Sequence, residues 1–202
     1  MTTLAKGHRG PINVTQESQH RVFVGLGWDP KEDAGLLKSV GALVKGKALH
    51  HDLDLSCYIF DPNKTLIDSI GVKNKNPSDK TDNIYHSGDN VEGLGDGDDE
   101  EISVELKDIN PDIAHIVFVA AIKSGHAFDE VESPEIRMVD GYSGRVFLRS
   151  ALNLQEGTKQ SGYVFAELYL DDDTWTLHYI DEFFDYRTQK DMPTFLNQFI
   201  SA

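Results

Sequence analysis

Short segments rich in β-branched and aromatic residues recur along this chain of 202 residues, separated by Gly- and Asp-rich turns. Residues 115–122, HIVFVAAI, are almost continuously apolar, which is typical of a strand in the middle of a sheet. Residues 102–106, ISVEL, alternate apolar and polar side chains, which is typical of a half-buried strand. The same reasoning predicts strands at 20–28, 53–60, 135–139, 145–148, 162–170 and 174–180.

Helical periodicity is sparse. It occurs at 192–200, where Phe195, Leu196, Phe199 and Ile200 have helical spacing, so we predict a short C-terminal helix there. Many short strands with few helices predict a mostly β fold, a β-sandwich of two sheets. Since no repeat of fixed period and no Pro- or Ser-rich linker interrupts the pattern, we expect a single domain over residues 1–202.

Acidic residues dominate the charge. The chain has 34 Asp and Glu against 19 Lys and Arg, a formal net charge of -15. Such a surface repels phosphate backbones and anionic lipid heads, which argues against nucleic acid as a direct partner. A single cysteine, Cys57, excludes an intrachain disulfide and a multi-cysteine zinc site. With neither a signal-peptide pattern nor a transmembrane segment, we expect a cytoplasmic protein that holds cations.

The most informative stretch runs from Gly88 to Glu101, GDNVEGLGDGDDEE, and interleaves seven carboxylates with four glycines and no basic residue. Carboxylates held so close together repel one another, and a Ca²⁺ ion, which accepts 6–8 oxygens, offsets that repulsion. Glycine lets the backbone reach positive φ and turn carbonyls toward the same ion. A merely solvated acidic turn is the alternative.

This stretch does not fit an EF-hand. With Asp89 at position 1, Leu94 occupies the position that requires glycine, and starting at Asp96 places Glu101 there. The Gly-Asp pattern occurs once, so a repeated calcium β-roll is excluded as well.

A second acidic element is Asp52-Leu-Asp54-Leu-Ser at 52–56. In a strand Asp52 and Asp54 point to one face while the two leucines point to the core, which makes half of a metal site. The alternative is an ordinary amphipathic strand with a solvated face. Asp29 is a weaker third contributor to such a site. Combined with the Gly88–Glu101 stretch, the pair would complete one or two calcium sites.

Several short motifs follow one another along residues 4–180. They are LxKG at 4–7, GLGWD at 25–29, DLDLS at 52–56, the GDN…GxGDGDDE loop at 88–100, IVFV at 116–119 and AELY at 166–169. Together they resemble the TerD-like family of bacterial tellurium-resistance and stress-response proteins, with the acidic loop as the most specific element. The resemblance implies a calcium-binding β-sandwich with no established catalytic activity, and we predict two ions. It places the ligands among Asp52, Asp54, Asp89, Asn90, Asp96, Asp98, Asp99 and Glu100. It also implies assemblies with other proteins of the same operons, some of them at the membrane.

Two segments depart from the family pattern. After Trp175 the family usually has a Gly-rich stretch, whereas this chain diverges from about residue 181 into acidic and aromatic residues. We interpret that tail as a cover for the open edge or end of the sandwich, with a partner-binding surface as the alternative. The connection at 30–51 is also long. Both departures leave the predicted calcium site untouched.

Other functions fit these residues less well. A metal-dependent phosphoesterase would use the same acids with magnesium or manganese, but the net charge of -15 opposes capture of phosphate substrates. A pure interaction domain would need the acids only for solubility. His50, His51 and His86 lie near the acidic segments, yet adjacent histidines in a strand face opposite ways, which disfavours a zinc or copper site. His8, His20 and His126 are expected at the surface, and His115 is expected to bond a backbone carbonyl.

Overall fold

A computed structural model describes residues 4–18, 20–29, 51–71, 77–88, 97–154 and 159–201. Within these ranges the chain forms eleven strands in two antiparallel sheets, with one short α-helix. The strands are β1 Arg9–Pro11, β2 Arg21–Asp29, β3 Leu53–Phe60, β4 Leu66–Gly71, β5 Ile84–His86, β6 Glu100–Glu105, β7 His115–Ile122, β8 Glu132–Asp140, β9 Val146–Ala151, β10 Gly162–Asp171 and β11 Thr174–Phe184. The helix α1 spans Met192–Leu196. The mostly β prediction is confirmed.

Sheet order places the most apolar strand inside. One sheet has six strands in the order β1-β11-β10-β7-β3-β4, and the other has five in the order β5-β6-β2-β8-β9. β7 lies between β10 and β3, and all its residues are buried. Its continuous apolar sequence follows, because both faces of this strand are covered. β10 and β11 pair as an antiparallel hairpin around an acidic turn.

The main core lies between the two sheets. On β3 alternate residues, including Leu53, Leu55 and Cys57, point inward and pack with Val24 and Leu26 of β2 in one buried cluster. Burying each of the larger side chains stabilises the fold by about 1.5–3 kcal/mol. Burial also raises the pKa of the Cys57 thiol, so this cysteine stays protonated and unreactive.

The C-terminal segment, which is the chain after β11, packs on the outer face of the six-stranded sheet, rather than on an edge or end as the sequence suggested. Val117, Val119, Val164, Ile180 and Phe184 form an apolar patch on that face, and the segment covers it with Met192, Leu196 and Ile200. The Asp191 carboxylate caps α1 by accepting the Thr194 N–H. The helix is shorter than the predicted 192–200 and ends at Leu196, after which the Phe199 N–H donates to the Leu196 carbonyl in a tighter turn.

Three strands escaped the sequence analysis. β1, β4 and β5 read RGP, LIDSIG and IYH, and are too short or too polar to show a period of two. All three lie at sheet edges, where fewer side chains are buried. Among the residues described, no helix is long and apolar enough to cross a bilayer. Residues 30–50 of the long connection lie outside the described residues.

Candidate functional site

Glu100 connects the two sheets through a buried carboxylate. It begins β6, pairs with Leu26 of β2 and is completely buried. Its Oε2 accepts the backbone N–H of Leu55 at 2.6 Å, and Leu55 belongs to β3 in the opposite sheet. The second oxygen, Oε1, is buried with no hydrogen-bond partner among the described residues. A buried acceptor left in this state is costly.

The groups around Glu100 shift the pKa of its carboxyl in opposite directions. Burial raises the pKa of the Glu100 carboxyl, and the nearby charge of Asp54 raises it further, whereas the neighbouring His86 and the hydrogen bond from the Leu55 N–H lower it. His86 is itself buried, with Nε2 3.3 Å from Glu100 Oε2. The negative charge of Asp54 thus makes a positive charge beside Glu100 more favourable.

Asp54 lies on the face of β3 opposite the core, as the alternation predicts, because Leu53 and Leu55 point between the sheets. The solvated-face alternative is wrong for this residue, since Asp54 is almost completely buried. The ammonium of Lys123 lies 3.2 Å from Asp54 Oδ1. Asp52 precedes β3 and is partly buried.

Asp98 forms its ion pair with Arg137 of the five-stranded sheet, away from Asp54 and Glu100. Arg137 Nε lies 2.9 Å from its Oδ1 and Nη2 lies 2.9 Å from its Oδ2, a bidentate ion pair. The carboxylate occupies the space above Gly25, where a Cβ would lie 2.1 Å from Asp98 Cγ. Gly27 is equally constrained, since its Cβ would lie 2.8 Å from the Gly97 carbonyl oxygen. Both glycines of GLGWD therefore make room for the acidic loop.

Asp99 docks the same loop on β2. Its Oδ2 accepts the Trp28 N–H at 2.9 Å, and its own N–H donates to the Leu26 carbonyl at 2.9 Å. Burial raises the pKa of the Asp99 carboxyl, the Trp28 N–H opposes that rise, and the charges of Asp98 and Asp29 add to it. Asp29 ends β2 and is exposed.

The structure brings together only part of the predicted ligand set. Asp54 and Glu100 interact electrostatically, whereas Asp98 and Asp99 contact Arg137 and β2. Asp89, Asn90 and Asp96 lie outside the described residues. Within the ranges that the structure describes, no group of three or more His, Cys, Asp or Glu side chains is placed to hold a metal ion.

Sequence reasoning missed the cations of this region. Arg137 and Lys123 are ordinary basic residues in the sequence, and only strand pairing places them beside Asp98 and Asp54.

Two histidine predictions were wrong. His126 is buried, with its ring 4.5 Å from that of His51, rather than exposed. His115 bonds the carboxylate of Glu167 at 2.8 Å instead of a backbone carbonyl.

Comparisons with known proteins agree with the motifs. The TerD domain family model matches residues 1–191. The chain is 31% identical over 175 residues to the tellurium resistance protein TerZ of Serratia marcescens, covering 87% of this chain and 86% of that protein. It is 29% identical to general stress protein 16U of Bacillus subtilis (strain 168), covering 86% of each.

Solved structures show the same fold. A homologue of telluride resistance protein TerD from Streptomyces coelicolor A3(2) superimposes with a TM-score of 0.64 at 23% identity, covering 82% of this chain and 90% of that one. The family match, the sequence relatives and the fold agree with the resemblance carried by the motifs. This chain therefore belongs to the TerD-domain family of tellurium-resistance and stress-response proteins.

Proposed function

We propose that this protein binds calcium, is not an enzyme, and acts in tellurium resistance or stress response through calcium-dependent assembly with partner proteins. The proposal includes the cytoplasmic location expected from the sequence. The observation that carries it is the buried carboxylate of Glu100, whose Oε1 has no hydrogen-bond partner in the described part of the chain. The Asp54 charge beside it makes this place attractive to a divalent cation.

The proposal assigns Asp54 and Glu100 as calcium ligands and gives Asp98 and Asp99 a docking role. An ion that used Asp98 would have to displace a bidentate arginine, and one that used Asp99 Oδ2 would compete with the Trp28 N–H. Asp52, Asp89, Asn90 and Asp96 stay in the ligand set as predictions from the sequence. Carboxylate and carbonyl oxygens are the donors that calcium prefers.

In this proposal, the charges of Asp54 and Glu100 make assembly with partner proteins depend on calcium. Without the ion, Asp54 and Glu100 repel each other, and repulsion at this point weakens the link between β6 and β3. With the ion, that link holds the acidic loop against β3. We propose that this calcium-bound surface is the one that partner proteins recognise. The names of relatives, which are resistance and stress proteins, are consistent with a binding role.

The decisive experiment is a thermal melt of chelator-treated protein with calcium, with magnesium and with neither. Binding to the folded state alone stabilises by about 2.7 kcal/mol at a hundredfold excess over Kd. We expect a clear rise in Tm with calcium and a much smaller one with magnesium, which keeps its waters. Glu100→Gln should abolish the calcium response, while Glu132→Gln at an exposed position should keep it. An unchanged Tm with calcium refutes the proposal.

The phosphoesterase alternative has no supporting observation among the described residues. An equal response to magnesium in the same melts would revive it, because phosphoesterases of that kind use magnesium with few protein ligands.

A further inference from the structure

We propose that Lys123 is the built-in competitor of calcium at Asp54, and that its displacement by the ion is transmitted to the C-terminal segment through Tyr186. The inference rests on the proposed function and concerns its regulation. Lys123 belongs to none of the motifs that carry the resemblance to the family.

The ammonium of Lys123 already pairs with Asp54 and partly offsets its charge. Its Nζ lies 3.2 Å from Asp54 Oδ1, and the aspartate is almost completely buried while about 26% of the lysine side chain is exposed. Strand pairing fixes this arrangement. Ile122, the last residue of β7, pairs with Leu53 of β3, so Lys123 leaves the sheet beside the Asp52–Asp54 segment. A buried carboxylate without a counter-charge would destabilise the fold.

The same ammonium contacts the C-terminal segment. Its Nζ lies 5.7 Å from the centre of the Tyr186 ring, within range of a cation–π interaction. Tyr186 opens a short 3-10 turn, and its N–H donates to Ser161 Oγ at 3.2 Å. Its ring packs 6.2 Å from that of Phe184, which belongs to the apolar patch under the segment. Lys123 thus contacts both Asp54 of the proposed site and Tyr186 of the C-terminal segment.

Two cations cannot share one carboxylate without repulsion. A calcium ion at Asp54 carries twice the charge of an ammonium, so the lysine is the group that leaves. Its four-carbon stem is flexible and its head is partly in solvent, so it can swing outward at little cost. When it does, Tyr186 loses its cation–π contact. Calcium binding should therefore weaken the hold on the first turn of the C-terminal segment.

The test compares Lys123→Met with Lys123→Arg. Methionine keeps most of the apolar stem and removes the charge, so calcium affinity measured by titration calorimetry should rise about tenfold. Arginine keeps the charge and should leave the affinity near that of the native protein. Lys6→Met serves as the matched control, because Lys6 forms an exposed ion pair with Glu182. It should change the affinity by less than about twofold.

A second readout follows the tyrosine. In the native protein, calcium should shift the NMR signals of the Tyr186 ring, and Lys123→Met should show a calcium-independent spectrum at that ring. In the absence of calcium, a double-mutant cycle between Lys123→Met and Asp54→Asn should give a coupling, because the pair is in contact. This readout does not depend on the metal.

The outcomes separate the two proposals. Equal calcium affinity in native protein and Lys123→Met overturns the competitor role while leaving calcium binding intact. If calcium does not shift the NMR signals of the Tyr186 ring in the native protein, the transmission to the C-terminal segment is overturned. Failure of the native protein to bind calcium overturns the proposed function, and this inference with it. If Lys123→Met does not fold without calcium, an affinity for Lys123→Arg equal to that of the native protein supports the charge argument, and a large change overturns it.

Discussion

Ser201 anchors the end of the described chain to Glu167. Its N–H lies 3.1 Å from each carboxylate oxygen, and its hydroxyl donates to Oε2 at 2.8 Å. His115 Nδ1 and His178 Nδ1 lie 2.8 and 3.0 Å from the same carboxylate. Because an ionised carboxylate only accepts hydrogen bonds, each of these nitrogens carries its hydrogen. Glu167 is thus a completely buried charge with donors from β7, β11 and the C-terminal segment.

This network makes stability depend on pH in the acidic range. Hydrogen bonds from the two histidines and Ser201 outweigh burial and lower the pKa of Glu167 from 4.5 to about 2. Since the folded pKa lies below the unfolded one, the contribution is complete above pH 4.5 and is lost as the pH falls toward 2. Its full size is about 3 kcal/mol.

We expect Glu167→Gln to remove this pH dependence and to lower the free energy of unfolding at pH 6. Urea unfolding at pH 6, 4 and 3 measures both effects. The exposed Glu132→Gln variant is the control, since it removes one carboxylate outside the network. An equal slope with pH for native protein and Glu167→Gln would show that the network does not set acid stability.

Leu196 should be the main apolar anchor of the C-terminal cover. It is completely buried against the patch formed by Val117, Val119 and Val164. Leu196→Ala should cost about 2–4 kcal/mol of unfolding free energy, because it leaves a cavity. Leu154→Ala, at a side chain that is 82% exposed, should change stability by less than about 0.5 kcal/mol. Chemical denaturation compares the two, and equal costs would contradict the packing described.

Gly25→Ala should disrupt the docking of the acidic loop. Its Cβ would overlap the Asp98 carboxylate, so either the loop or the strand must move, at a cost of about 1–3 kcal/mol. Gly10→Ala in β1 is the control, since its nearest neighbour is the His8 ring end at 3.2 Å. Adding Asp98→Ala to Gly25→Ala should recover part of the loss. Strict additivity of the two changes would refute the clash.

Asp98 and Glu100 should differ in what their replacement changes. Asp98→Asn removes a charged partner of Arg137 and should lower stability by about 1–3 kcal/mol with little effect on calcium affinity. Glu100→Gln should reduce calcium affinity by more than about tenfold. Calorimetric titration of both variants tests this division. A large loss of affinity in Asp98→Asn would return Asp98 to the ligand set.

Much of the fold was predictable because strand patterns are local. β3 and β7 match the predicted 53–60 and 115–122 in full, since β3 begins with alternating apolar and polar residues and β7 is an almost continuous apolar run. β4 and β5 were missed because LIDSIG and IYH are short edge strands with little periodicity. The C-terminal segment was recognised as a cover, but its location on a sheet face depends on apolar residues from four different strands.

By itself the sequence determined the two-sheet architecture, the family and the segments rich in carboxylates, because strand periodicity, glycine and charge are properties of neighbours in the chain. Only the tertiary structure decided which partner each of those carboxylates contacts. Asp98 lies with Arg137, Asp54 with Lys123, and Glu100 with a strand of the opposite sheet. These partners are 39, 69 and 45 residues away in the chain (137 − 98, 123 − 54 and 100 − 55). Sheet pairing and burial, which no local pattern encodes, bring them together.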